Sequence, residues 1–128
     1  MGYFAADCPA RLVTELLADK WAVPVLHALG DRPCRPGDLR KRIGGVSAKV
    51  LTQTLRRLER HGMVSRTVYP VVPRHVDYAL TALGRSLLEP IGALTRWAAE
   101  HGHEVLSALD EDPWDSTAPE RLDGVPAR

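Results

Sequence analysis

The chain has 128 residues, a length suited to one domain that can bury roughly two-thirds of its unfolded surface without disulfides or metals. Hydrophobic residues at 45% and charged residues at 26% match an ordinary soluble protein, no run approaches the ~20 apolar residues of a membrane span, and no basic-then-apolar signal opens the chain. Two cysteines, Cys8 and Cys34, suit a reducing cytoplasm, which is the expected location, so a membrane protein, a collagen-like chain and a secreted disulfide knot are excluded.

The net charge of +1 conceals a segregation. Residues 35–75 hold ten basic side chains (Arg35, Arg40, Lys41, Arg42, Lys49, Arg56, Arg57, Arg60, Arg66 and Arg74) against Asp38 and Glu59, or +8. The remainder holds seven basic and fourteen acidic residues, or −7. Asymmetry of this size points to a polyanion-binding face, although a solvated basic helix surface would show it too.

In chain order, residues 1–8 read as an N-terminal arm. Pro9 suits the first position of a helix, because its missing N–H costs nothing there, and Leu12, Val13, Leu16 and Leu17 follow at helical spacing. Asp19 is placed to cap a second helix holding Trp21, Val25, Leu26 and Leu29, ended by Gly30, with Pro24 expected to kink it. Asp31-Arg32-Pro33 is a turn, Pro36 to Ile43 a short third helix, and Gly44-Gly45 a break.

Ser47 caps a fourth helix, and Val46 before it can pack on Leu51 as a hydrophobic staple. Val50, Leu51, Leu55 and Leu58 form its buried stripe, whereas Lys49, Gln53, Arg56 and Arg60 recur at intervals of four, three and four on the opposite face. Gly62 closes it. Met63 to Tyr69 and His75 to Leu80 read as strands, joined by a stiff, proline-rich tip, Pro70 to Arg74. Thr81 is expected to cap one last long helix, interrupted and bent at Pro90, in which Leu83, Leu87, Ile91, Leu94, Ala98, Val105 and Leu109 share a face. Residues 9–109 thus make one domain with its dimerisation helix, and 110–128 an acidic, Pro-rich, loosely ordered tail.

This succession is a winged helix-turn-helix: mainly α, with a small β-hairpin wing. A recognition helix fits the major groove, where Gln53 can pair with adenine and Lys49 or Arg56 with guanine, while Arg60 reaches phosphate and the hairpin reaches the flanking backbone or minor groove. The chain closely resembles the HxlR-type family of bacterial winged-helix regulators, relatives of the MarR type. The matching stretches are Cys8-Pro9, Asp19-Lys20-Trp21, Gly37 to Arg40, the block Val46 to Glu59, Gly62 to Pro70, Val72 to Tyr78 and Leu80 to Gly84. Pro24 and Pro36 depart from the family pattern, which usually has an aliphatic and often an aromatic residue there. The resemblance implies a homodimer, built mostly by the first and last helices, and a sequence-specific regulator of double-stranded DNA, read as a repressor acting on a pseudo-palindromic operator. It places Ser47, Lys49, Thr52, Gln53 and Arg56 in the groove and Arg74 on the wing contact; Arg57 and Arg60 complete the DNA-binding set. Leu12, Leu16, Ile91, Leu94 and Trp97 are the dimer candidates. In some members the cysteine at the Cys8 position senses oxidants or electrophiles, and thiols at helix starts are a reactive kind, so Cys8 is the redox candidate and an oxidant or small-molecule effector is open. Cys34 reads as a packed turn residue.

His27, His61, His75, His101 and His103 have no metal-ligand spacing, so neither a metal nor a cofactor is expected. Trp21 and Trp97 read as core or interface anchors, and Trp114 has no assigned role. No nucleophile–base pair or phosphate loop stands out, which argues against an enzyme. The alternative class is a winged-helix interaction module whose basic face docks an acidic protein.

Overall fold

The computed structural model describes residues 5 and 7–111, and the chain divides into two compact units, Met1–Ile91 and Gly92–Arg128. In the first unit the order is α1 (Pro9–Leu17), α2 (Ala22–Leu29), α3 (Pro36–Ile43), α4 (Ala48–Arg60), β1 (Val64–Tyr69), β2 (His75–Leu80) and α5 (Ala82–Ser86). A further helix, α6 (Leu88–Glu111), starts in this unit and supplies the described part of the second.

Spacing of apolar residues at three and four decides which helix faces meet. Leu51, Leu55 and Leu58 of α4, Val25, Leu26 and Leu29 of α2, and Leu39 of α3 are all fully buried in one cluster. Each such side chain contributes about 1.5–3 kcal/mol relative to an exposed one. Leu16, Val64, Tyr78 and Ile91 join this core. The stripe expected on α4 is present, with Thr54 buried in addition and Val50 only half-buried.

β1 and β2 pair antiparallel from Val64↔Leu80 to Tyr69↔His75, and the Tyr69 and His75 rings stack at 4.6 Å where the hairpin opens into its tip. Gly62 (φ 79°) ends α4 in a left-handed conformation that a side chain would strain. Its N–H donates to the Glu59 carbonyl and the Met63 N–H to the Leu58 carbonyl, which caps the orphan carbonyls of the last turn. The Thr81 hydroxyl donates to the Gly62 carbonyl and accepts from the Gly84 N–H, tying the end of α4 to the start of α5. Gly84 is buried against the Met63 backbone, where a Cβ would collide with the Met63 carbonyl. Gly84→Ala is therefore expected to lower stability by about 1–3 kcal/mol in denaturant titration, as overpacking does, and an unchanged midpoint would contradict this packing.

Four expectations change. Pro24 is the third residue of α2, where a backbone N–H has no intrahelical partner to lose, so α2 runs unbroken from Ala22 to Leu29. Asp19 lies outside α2: its carboxylate accepts the Trp21 N–H at 2.9 Å in the preceding turn, and Trp21 is the N-cap residue. The last long helix is two helices, separated at Leu87. Pro90 cannot bond to the carbonyl four residues back, that of Ser86, and its ring would clash there; α5 ends at Ser86 and Pro90 falls in the first turn of α6. Thr81 consequently caps α5, and Asp110 and Glu111, assigned to the tail, belong to α6. The rest of the expected tail, including Trp114, lies outside the described residues.

Candidate nucleic-acid interface

The helix pair α3–α4 is joined by Gly44 (φ 74°) and Gly45 (φ 77°), a turn of two successive left-handed residues that glycine alone adopts without strain. Ser47 then opens α4, its hydroxyl oxygen accepting the Val50 N–H at 3.1 Å. The buried Val46 and Leu51 flank that cap and set the entry angle of the chain. Because the hydroxyl only accepts in the cap, its proton remains free to be given to another group.

With α4 locked by Leu51, Leu55 and Leu58, its opposite face is decided. Ser47, Lys49, Gln53, Arg56, Arg57 and Arg60 are exposed and Thr52 is half-buried. At about 100° per residue, Lys49, Gln53, Arg56 and Arg60 fall within about 60° of arc, whereas Arg57 lies at about 80° from Lys49, toward the buried side. That offset shows in its contacts. Arg57 Nη1 pairs with Asp19 Oδ2 at 2.7 Å, so Arg57 ties α4 to the turn before α2. Arg42 is also drawn inward, bonding the Ala28 carbonyl at 2.9 Å, Asp31 Oδ2 at 2.6 Å and the Cys34 thiol at 3.3 Å. The Cys34 bond and then the Asp31 bond raise its pKa further above an already high value.

The wing carries Arg74 at the end of its tip, exposed, as is Arg66 on β1. A recess of about 460 Å³ opens between the hairpin and the start of α3, lined by Arg35, Pro36, Arg66, Arg74, His75 and Val76. Another of about 370 Å³ lies beside the turn, lined by Gly37, Arg40, Lys41, Gly45 and Val46. Residue-by-residue reading assigned Arg35 and Arg66 no role. The charge count held the signal, but neither residue belongs to the α4 stripe.

Of the dimer candidates, Leu12, Leu94 and Trp97 are exposed, whereas Leu16 and Ile91 are buried in the chain's own core and have no surface to offer a partner. Cys8 occupies the N-cap position of α1, half-buried and free, with Pro9 as the first helical residue. Cys34 is buried and free. Among the described residues no group of histidine, cysteine or carboxylate could hold a metal ion, and no helix is long and apolar enough to cross a membrane.

A helix-turn-helix with a two-stranded wing and a cationic outer helix face is the geometry of a winged-helix regulator, and residues 16–105 match the HxlR-like helix-turn-helix family. The chain belongs to that family. The HTH-type transcriptional regulator YtfH of Escherichia coli K12 is 45% identical over 108 residues, covering 84% of this chain and 86% of YtfH. The solved transcriptional regulator ytfH of Salmonella typhimurium is 42% identical with a TM-score of 0.72, covering 84% of this chain and 96% of that one. The redox regulator HypR, solved in reduced and oxidised forms, is 29% identical in its reduced form with a TM-score of 0.71, covering 78% and 98%. This HxlR-like protein is a transcriptional regulator and not an enzyme.

Proposed function

We propose that the regulator binds double-stranded DNA in a sequence-specific manner as a homodimer. The observation that carries this reading is the exposed stripe Lys49–Gln53–Arg56–Arg60 on a helix whose other face is buried. Gln53 reads an adenine edge, Lys49 or Arg56 a guanine, Ser47 and Thr52 adjacent groups in the groove, and Arg60 and Arg74 meet phosphate. Arg57, paired to Asp19, orients α4 from the edge of this set. Mobility-shift titration with the DNA upstream of its own gene tests the reading: no complex at low salt would sink it. Gln53→Ala is expected to cost about 1–3 kcal/mol on the best operator and to relax preference at one base position per half-site. Equal loss on operator and scrambled DNA would show that Gln53 reads no base.

A dimer occupying a promoter excludes polymerase, which is the repressor reading; a reporter behind the operator should rise when the regulator is deleted. The regulator is also oxidant-responsive through Cys8. Two observations favour this: the free thiol at the start of α1, and the likeness to HypR, a redox regulator. An oxidant such as diamide takes two electrons and two protons from two Cys8 thiols, one per protomer, leaving an intersubunit disulfide. Moving the DNA-competent state from mostly filled to mostly empty needs about 5.5 kcal/mol of bias, which a covalent link between protomers can supply. Diamide should abolish operator binding by the wild type and spare Cys8→Ser. If both lose affinity alike, Cys8 is a packing residue.

A further inference from the structure

Antiparallel pairing extends beyond the hairpin at one point. The Cys34 N–H donates to the Tyr78 carbonyl and the Tyr78 N–H to the Cys34 carbonyl, both at 2.9 Å, on the edge of β2 away from β1. The bridge is a single one, and α3 begins two residues on at Pro36, so the start of α3 is fastened beside β2. The recess of about 460 Å³ follows from that docking: Arg35 and Pro36 come from one side, and Arg66, Arg74, His75 and Val76 from the other.

The charge there is uncompensated. Three arginines and a histidine line the recess, and no acidic residue does. Nearby Arg42 is engaged by Asp31, Ala28 and Cys34, but no hydrogen bond or ion pair engages the guanidiniums of Arg35, Arg66 or Arg74 among the described residues. Like charges gathered round one recess repel, and an anion relieves that repulsion. The forked, planar guanidinium matches the oxygens of a phosphate better than those of a spherical ion, and three forks can divide its oxygens between them.

We propose that this recess is a phosphate site, in which Arg35 and Arg66 act with Arg74. The group it takes is a backbone phosphodiester of bound duplex or a free phosphate. Its use for duplex rests on the DNA-binding reading above. Through the Cys34–Tyr78 bridge, a phosphate held there would fix the wing and the start of α3 together, and so set the depth of α4 in the groove.

The test compares wild type, Arg35→Gln, Arg66→Gln and Gln53→Ala on upstream DNA and on a scrambled duplex of equal length, across a salt series. Arg35 and Arg66 are exposed and have no ion pair or side-chain hydrogen bond among the described residues, so both variants should keep the wild-type melting profile by circular dichroism. Each arginine variant is expected to weaken binding to both duplexes by the same factor and to reduce the salt slope by about one for each bound protomer, while Gln53→Ala acts on the operator alone. In a second arm, the His75 ring signals are followed by NMR as inorganic phosphate replaces chloride at constant ionic strength. A saturable shift in the wild type, lost in Arg66→Gln, with unchanged DNA slopes, assigns the site to free phosphate. Unchanged slopes together with an unresponsive His75 overturn the proposal, even where Gln53→Ala still upholds DNA binding. Should the wild type bind neither duplex, the DNA reading fails, and the phosphate titration alone decides the recess.

Discussion

Raising salt from 50 to 200 mM is expected to weaken operator binding by about 10³–10⁵-fold, the loss that follows when six to ten phosphates are neutralised and their counterions released. The structure narrows the supply of contacts. Of the ten basic residues between 35 and 75, Arg42 and Arg57 are paired to Asp31 and Asp19, and Arg40 Nε donates to the Val46 carbonyl at 3.4 Å. Seven remain: Arg35, Lys41, Lys49, Arg56, Arg60, Arg66 and Arg74. Two protomers thus hold enough basic side chains for the six to ten contacts, which correspond to a log–log slope of about −5 to −9 and, over a fourfold rise in salt, to the loss of about 10³–10⁵-fold. Arg74→Ala should weaken binding to every duplex alike and reduce that slope by about one for each protomer in contact. A nearly flat salt dependence would defeat the electrostatic account of the basic face.

Leu94→Glu is expected to yield a monomer that no longer binds the operator tightly. Leu94 is 61% exposed, and Trp97, Val105, Leu106 and Leu109 of the same helix are exposed with it. These large apolar side chains on one helix are the surface that the proposed dimer would cover, with a second copy related by a two-fold axis as the default partner. A carboxylate set into such a desolvated seam, without a partner, costs several kcal/mol. The protomer should survive the change, since Leu94 takes no part in the buried cluster, and near-ultraviolet circular dichroism will report that. Operator affinity falls because a dimer presents two recognition helices to half-sites about one helical turn, or roughly 34–36 Å, apart, and a monomer has one. Light scattering that finds the wild type monomeric at micromolar concentration would end the dimer reading.

Features settled by local chemistry were legible in the sequence. The Ser47 cap, the end of α4 at Gly62, the Gly44-Gly45 break, the Pro36–Ile43 helix and the stripe from Lys49 to Arg60 all depend on residues within one or two turns of each other, and each stands where expected. Prolines were legible as punctuation but not as geometry. Pro24 leaves α2 whole because it falls in the first turn, whereas Pro90, which cannot bond the Ser86 carbonyl, divides the expected helix instead of only bending it. Partners distant in sequence were out of reach. Helical phase turns Arg57 away from the stripe that holds Arg56, but only the fold supplies what it meets there, Asp19, 38 residues away, while Arg56 faces solvent. Leu12 and Leu16 lie one turn apart on a shared face, as do Leu94 and Ile91, and only the assembled core shows that Leu16 and Ile91 are consumed by it while Leu12 and Leu94 are left outside. Cys34 read as a turn residue, and its backbone proves to be the bridge that fastens α3 to the wing and gathers Arg35, Arg66 and Arg74 round one recess. Periodicity therefore determined which residues face together, but what each face meets is a property of the closed chain, where contacts between distant segments compete for the same surface.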